Sequence, residues 1–495
     1  MKFLRQSTGL VKELGAFDAF SLNFSFIGPA AGLSYPLFVA STIAGASWIL
    51  SAILGAILVL PLLLNYYLLS YHIPRSAGDY IYVSRSMGEL AGTILAMSLI
   101  MSFSMGFPVL AELEVIMVII PGLQSIGVSF HNSLLITIAN SILSNNLYLL
   151  ITTTFIILVS FLLSISYKIY TKSFRYLTIL QIIGIVMMIF GMIVFRSSYS
   201  QYAKPYSEPT NYIQTLALSS IFVLSMYAFS NAPAYFGGEI KKPKTGFFAG
   251  YILSYSAAVI FTVFLILAIE FSIGKEGYIY ATINGWNLPI STSSLLAFGV
   301  LPFLNIPEIL VIVVMSALTW YLLYAMINVT ASSRMIFSLA FDRVLPSFLG
   351  DVKRGIPVNA MLLSLFISII FEFIEVYLGY SVSFAVDGLW FIIWNYLLVS
   401  IASIKFSNLD RKILITAVLS IISLITVVIV TILYGIVTFG NFSFGSIIFS
   451  GNEYFNISTI FIPPISGFLT YIISKEVRKR EGIDLSLVFK EIPPD

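Results

Sequence analysis

Gly28-Pro29-Ala30-Ala31-Gly32 stands in the middle of the first hydrophobic segment, residues 16–44. That segment exceeds the ~20 apolar residues needed to cross a bilayer. Pro29 removes a backbone donor, and the flanking glycines lower the cost of leaving helical geometry. Backbone groups freed inside hydrocarbon must find partners in protein, water or ligand. The stretch therefore reads either as a kink packed on neighbouring helices or as an unwound segment that meets a ligand.

The rest of the chain sets the context. Of 495 residues, 58% are hydrophobic and 10% charged, with a mean hydropathy of +0.97. A soluble domain carries about 25% charged residues, so this is an integral membrane protein. Cysteine is absent and only His72 and His131 represent histidine, which excludes thiol chemistry, disulfides and a His-based metal cluster. Nothing in the composition points to a nucleic-acid partner. The N-terminal residues 1–15 are too polar for a cleaved signal peptide, and the first span reads as retained.

The ~20-residue criterion places about twelve spans. They lie near residues 16–44, 46–70, 88–120, 147–167, 177–195, 212–234, 247–273, 308–337, 358–378, 384–404, 412–437 and 457–474. Of the 26 Lys and Arg, all but Arg196, Lys204 and Lys275 fall on one side of that alternation. Positive charge marks the cytoplasm, so both termini are expected there. Two basic-side connections, 76–85 and 334–342, read as helical. On the other side, 121–146 and 274–307 read as long loops, the second a surface loop, a re-entrant segment or a lid.

A second interruption lies in the sixth span, at Tyr227-Ala228-Phe229-Ser230-Asn231-Ala232-Pro233. Ser and Asn compete for backbone hydrogen bonds, and Pro is well placed in the first turn of a new helix. The span reads as half-helix, break, half-helix. If residues 16–195 and 212–404 are two five-span repeats, the two breaks correspond. Paired broken helices of that kind point to a transport site at the membrane midplane. The run Ala31, Gly32 and Leu33 would offer free N–H groups and a positive helix end to an anion. Carbonyls at the ends near Ile27, Gly28, Tyr227 and Ala228 would accept from an ammonium or bind a cation. One anion-binding end and one cation-binding end fit a zwitterion, of which an α-amino acid is the smallest common example.

These residues resemble the amino acid–polyamine–organocation transporter superfamily at several motifs in order. The first break is similar to its Gly-rich unwound segment, although Pro29, Ala30 and Ala31 replace the usual middle. Ala77-Gly78-Asp79-Tyr80-Ile81-Tyr82, ending at Gly88, resembles its loop before the third span. Phe229 through Glu239-Ile240-Lys241-Lys242-Pro243 resembles the stretch closing its sixth. Ser333-Arg334-Met335-Ile336-Phe337, then Asp342-Arg343-Val344-Leu345-Pro346 and Ile356-Pro357-Val358, resembles the signature after its eighth. The resemblance implies an all-α integral membrane fold with a five-plus-five inverted-repeat core, broken helices 1 and 6, and two trailing helices (412–474).

Carried over, Ile27, Gly28, Ala30, Ala31 and Gly32 would hold a substrate carboxylate. Tyr227, Ala228, Phe229, Ser230 and Asn231 would hold its amino group and part of its side chain, with Asn328 a further substrate candidate. Coupling or gating candidates are Glu112, Gln181, Ser332, Ser333 and Glu239, the last against a basic-side Arg or Lys. Hydroxyls of Ser332 and Ser333 with carbonyls of Ile27 and Ala30 would suit sodium, while small-residue helix packing explains the same serines. The fifth span lacks the Lys that some superfamily members use in proton coupling, and Gln181 is its only strongly polar residue. Sodium coupling, proton coupling and uncoupled exchange all fit. Glu112 and Glu114 are two apart and cannot share a helix face, and Glu372 and Glu375 read as a structural pair or an oligomer contact rather than as part of transport. Among the tryptophans, Trp394, with Asn395, is the better site candidate, ahead of Trp320 and Trp390.

The expected function is secondary active transport of an amino acid, with a neutral side chain suggested by the apolar surroundings of both breaks. Alternating access, as symporter or antiporter, would carry it across the plasma membrane. No cofactor beyond a coupling Na+ or H+ is expected, and the lipid bilayer is the expected surrounding. A polyamine or organic-cation transporter of the same fold is the near alternative. A membrane-embedded enzyme or receptor would need a catalytic cluster, and the spans hold no Ser/His/Asp or His/Glu set. A channel would need a repeated filter-like loop.

Overall fold

The structure is a computed structural model that describes residues 9–43, 45–204, 209–292, 294–353, 355–438 and 453–489. Side chains of 381–391, 434–438 and 453–460 also lie outside the described set, and Trp390 with them. The described chain is all helical, joined by short turns and three isolated bridges. In hydrocarbon a helix satisfies its backbone within one segment, and among the described residues nine helices are long and apolar enough to span on that basis.

The expected first span is two short helices, Ala16–Ile27 and Ser34–Thr42, with a non-helical stretch between them. The second span is Trp48–His72, and the connecting helix Gly78–Met87 follows as expected. The third helix runs from Glu89 through a π turn at Val115–Ile119 to Ser129. The expected tenth and twelfth spans are the helices Ser381–Ser403 and Glu453–Arg480.

The long connections differ from the sequence reading. Residues 121–146 are mostly helical: Ile120–Ser129 prolongs the third helix and Ser133–Ser144 follows a turn at His131, whose φ is +52°. Asn132 and Asn145 start helices here by accepting N–H bonds from Leu134 and Leu147. Two of the Asn taken as loop signals are thus helix caps, and most of the Ser lie within helices. Residues 274–307 likewise hold helices Lys275–Asn284 and Leu295–Val300.

Burial follows a membrane logic. Phe155, Phe190, Phe264 and Ile422 are exposed on the outside, whereas Asn23, Asp79, Gln181, Glu239 and Arg334 are fully buried. Polar groups inside such a bundle must be paired with one another. The helix interfaces bring backbones close: a Cβ on Gly184 would overlap Ser316, and one on Gly55 would lie 2.9 Å from the Ser219 carbonyl. Such contacts are the small-residue packing that holds helices together without a hydrophobic driving force.

Candidate functional site

The first helix stops because Gly28 adopts φ +61°, a left-handed cap that returns its N–H to the Phe24 carbonyl at 3.0 Å. From there the chain turns through Pro29–Leu33. Gly32 N–H closes the turn on the Gly28 carbonyl at 2.6 Å, and Ser34 N–H bonds the Ala31 carbonyl at 3.2 Å. A Cβ on Gly32 would lie 2.7 Å from the Ile27 carbonyl and 2.9 Å from Met226 Cγ, so glycine alone fits the close approach. Among the described residues, no backbone or side-chain group accepts from the N–H of Ala30, Ala31 or Leu33. Ala30, Ala31 and Leu33 are all buried. Three buried donors thus lie beside the start of helix Ser34–Thr42, the kind of backbone arrangement to which anions bind. Gly32, expected to be a fourth, is committed to its own turn.

The sixth span leaves helical geometry through a π turn at Val223–Tyr227, and Ala228–Asn231 follow without helix. Carbonyls of Ala228, Phe229 and Ser230 take no donor among the described residues. The second half-helix is shorter than expected: Ala232–Tyr235, then a 3-10 turn at Gly237–Glu239. The cause is close backbone packing. A Cβ on Gly237 would sit 2.7 Å from the Arg75 carbonyl, Ala77 N–H bonds the Tyr235 carbonyl, and Phe236 bridges Ser76.

The two breaks face each other through aromatic contacts. Phe26 packs edge-on to Phe229 at 5.4 Å and to Tyr324 at 5.2 Å, and Phe229 meets Tyr324 at 5.6 Å. Tyr321 donates its hydroxyl to the Ala31 carbonyl at 3.1 Å. Tyr227 stacks on Phe222, away from that triad. Asn23, about a turn and a half before the first break, links the halves: its carbonyl oxygen caps Ala232 N–H at 3.2 Å while its amide bonds Ser254 at 2.9 Å. Sequence reasoning passed over Asn23, although a polar residue in the run Ser21-Leu22-Asn23-Phe24-Ser25 was its signal.

The other candidates separate. Gln181 accepts from the Ser25 hydroxyl at 3.4 Å, beside Thr178, and so touches the helix leading into the first break. Ser332 pairs with Ser104 of the third helix at 3.4 Å, and Ser333 donates to the Thr330 carbonyl at 2.7 Å. Asn328 donates to the Tyr324 carbonyl and lies over Gly106. Glu112 lies near Glu375 of the ninth span, and Glu372 takes the Thr154 hydroxyl at 2.6 Å. Glu114 faces the opposite way and accepts the Tyr321 N–H at 3.0 Å. Trp394 is a correction: it is 55% exposed, because its helix turns Asn395 and Tyr396 inward.

On the side bearing the basic loops the molecule is closed. Glu239 and Arg334, both fully buried, make two bonds of 3.0 and 3.1 Å. Arg85 pairs with Asp342 at 2.7 Å, and Arg175 with Asp18 at 2.8 Å. Backbone bonds join the same elements: Leu14 N–H to the Glu239 carbonyl, and Lys241 N–H to the Leu14 carbonyl.

Residues 14–462 match the profile of a family described as amino acid permease. The chain is also similar to Uncharacterized protein 399 of Sulfolobus islandicus rod-shaped virus 1. The two are 28% identical over 475 residues, covering 96% of this chain and 98% of that protein.

Proposed function

Because the chain belongs to the amino acid permease family, we propose that it is a secondary transporter carrying a neutral amino acid across the plasma membrane by alternating access. The observation that carries this reading is the opposition of two kinds of backbone group. Among the described residues the N–H donors of Ala30, Ala31 and Leu33 lack an acceptor, which an anion would supply, and the carbonyls of Ala228, Phe229 and Ser230 lack a donor, which an ammonium would supply. A carboxylate and an ammonium on one small molecule satisfy both sets. The aromatic triad Phe26, Phe229 and Tyr324 joins the two breaks and suits an apolar side chain better than a charged one. In this reading residues 16–195 and 212–404 are inverted repeats, 412–474 trails them, and the basic loops face the cytoplasm.

The test is counterflow in proteoliposomes. Vesicles loaded with an unlabelled neutral amino acid should take up the same labelled amino acid, without any ion gradient. Competition by other amino acids at fixed label then ranks the side chains. Absence of counterflow or binding for every amino acid tried would sink the proposal, and uptake of a polyamine instead would transfer it to organic cations.

A further inference from the structure

The connecting helix Gly78–Met87, between the second and third spans, carries a carboxylate that the proposed substrate site leaves unused. Asp79 is fully buried. Its Oδ2 accepts from the Tyr235 hydroxyl at 3.1 Å and meets the Asn231 amide nitrogen at 3.5 Å. Asn231 donates to the Tyr235 hydroxyl at 2.9 Å and accepts from Tyr396 at 2.9 Å. A polar chain thus runs from the sixth-span break to Asp79.

Every group that faces Asp79 is neutral. Tyr66 of the second span lies close by, outside hydrogen-bond geometry. Tyr82 comes from the same helix, Tyr235 and Asn231 from the sixth span, Tyr251 from the seventh and Tyr396 from the tenth. None of the described ion pairs includes Asp79, since Arg85, Arg175 and Arg334 are matched to Asp342, Asp18 and Glu239. Oδ1 is buried without a partner. A negative charge there would have neither a cation nor a full set of donors, which is the costly case for a buried ion. Burial accordingly pushes the Asp79 carboxyl up to about 7, against the pull of the Tyr235 hydroxyl bonded to it.

We infer that Asp79 carries a proton while the basic side is closed and gives it up to cytoplasmic water when that side opens, coupling amino acid movement to proton movement. The proton is taken from water on the opposite side when the sixth-span break is accessible there, forming the carboxyl O–H bond. Opening of the basic side breaks that bond, and the carboxylate left behind is hydrated. Asp79 acts through Asn231 and Tyr235 and is a positioning residue for the site rather than a substrate ligand. The inference rests on the transport reading above.

Wild type in proteoliposomes should accumulate labelled amino acid when the outside is made acid. Asp79→Asn should lose that accumulation, keep counterflow, and show counterflow that no longer varies with pH around neutrality. Asp79→Glu should restore the pH response. Gradient-driven accumulation by Asp79→Asn at the wild-type level would overturn the inference. So would a changed preference between cationic and neutral substrates with the pH response intact, because Asp79 would then bind the amine. Infrared titration of the wild type with carboxyl-labelled aspartate provides a readout that needs no variant and no transport. It should show an aspartate that keeps its proton well above the usual carboxylate range, and its absence would overturn the assignment. Wild type without counterflow would remove the transport reading, while the infrared result still decides the protonation of Asp79.

Discussion

The Glu239–Arg334 pair has no exposed surface on either side chain. Two bidentate bonds and the Phe236 ring, 5.0 Å from the guanidinium carbon, surround the charge. Removing one partner strands the other, which costs about 3–5 kcal/mol, whereas replacing both with apolar residues of similar size costs far less. Glu239→Gln should therefore lower the thermal midpoint of the detergent-solubilised protein sharply. The double variant Glu239→Leu/Arg334→Met should recover part of the loss, and additive losses would show that the two charges do not depend on each other. Asp79 yields a second prediction of known sign. A carboxyl held near 7 when folded and near its ordinary value of 3.8 when unfolded binds more protons in the folded state between those values. Stability then falls as pH rises through that window. The wild-type midpoint relative to Asp79→Asn should decline between about pH 4 and 7; a constant difference would contradict the burial argument. Glu239 was legible in the sequence as a candidate needing a basic partner, because a carboxylate after Gly237-Gly238 at a span end is conspicuous. Its partner was not, because Arg334 lies 95 positions away and any basic residue of that side would have fitted equally well.

At the scale of single elements, legibility tracked local punctuation. The first break was readable because Pro29 and two glycines interrupt an apolar run. The start of the sixth break was readable from Ser230, Asn231 and Pro233. Its short second half was not, since the cause is the backbone of Arg75 and Ser76 against Gly237, which only the tertiary fold reveals. The eighth span is also interrupted, between Pro307–Ala317 and Trp320–Phe341, and no Gly or Pro at Leu318-Thr319 announces it. Glu114 explains how that break is tolerated. Its Oε2 accepts the Tyr321 N–H at 3.0 Å, at the positive end of a 22-residue helix, and the Tyr321 hydroxyl reaches the Ala31 carbonyl. Losing a helix cap costs roughly 0.5–2 kcal/mol. Glu114→Leu should lower the thermal midpoint by more than Glu114→Gln, which keeps an acceptor oxygen. It should also weaken substrate binding, because Tyr321 positions the first break. Equal midpoints for the two variants would show that the carboxylate does not cap that helix.

For the whole molecule, charge placement is the information that sequence carries most directly. In the twelve-span arrangement Arg196, Lys204 and Lys275 stand alone on one side, and every other Lys and Arg falls on the opposite one. Moving a basic loop across a bilayer during insertion is costly, so the side rich in Lys and Arg is expected in the cytoplasm. The chain contains no cysteine, so any introduced cysteine is its only thiol and reports its own side. His131 and Asn284 are exposed on the sparsely charged side, and Asn408 and Lys479 are exposed on the basic side. In intact cells a membrane-impermeant maleimide should label His131→Cys and Asn284→Cys directly. Asn408→Cys and Lys479→Cys should react only after permeabilisation. The reverse pattern would invert the orientation and place the closed Glu239–Arg334 side outside the cell. A split between His131 and Asn284 would mean an odd number of spans between them, which would break the two-repeat arrangement on which the pairing of the first and sixth breaks depends; a split between Asn408 and Lys479 would mean that only one of the two trailing helices crosses the bilayer.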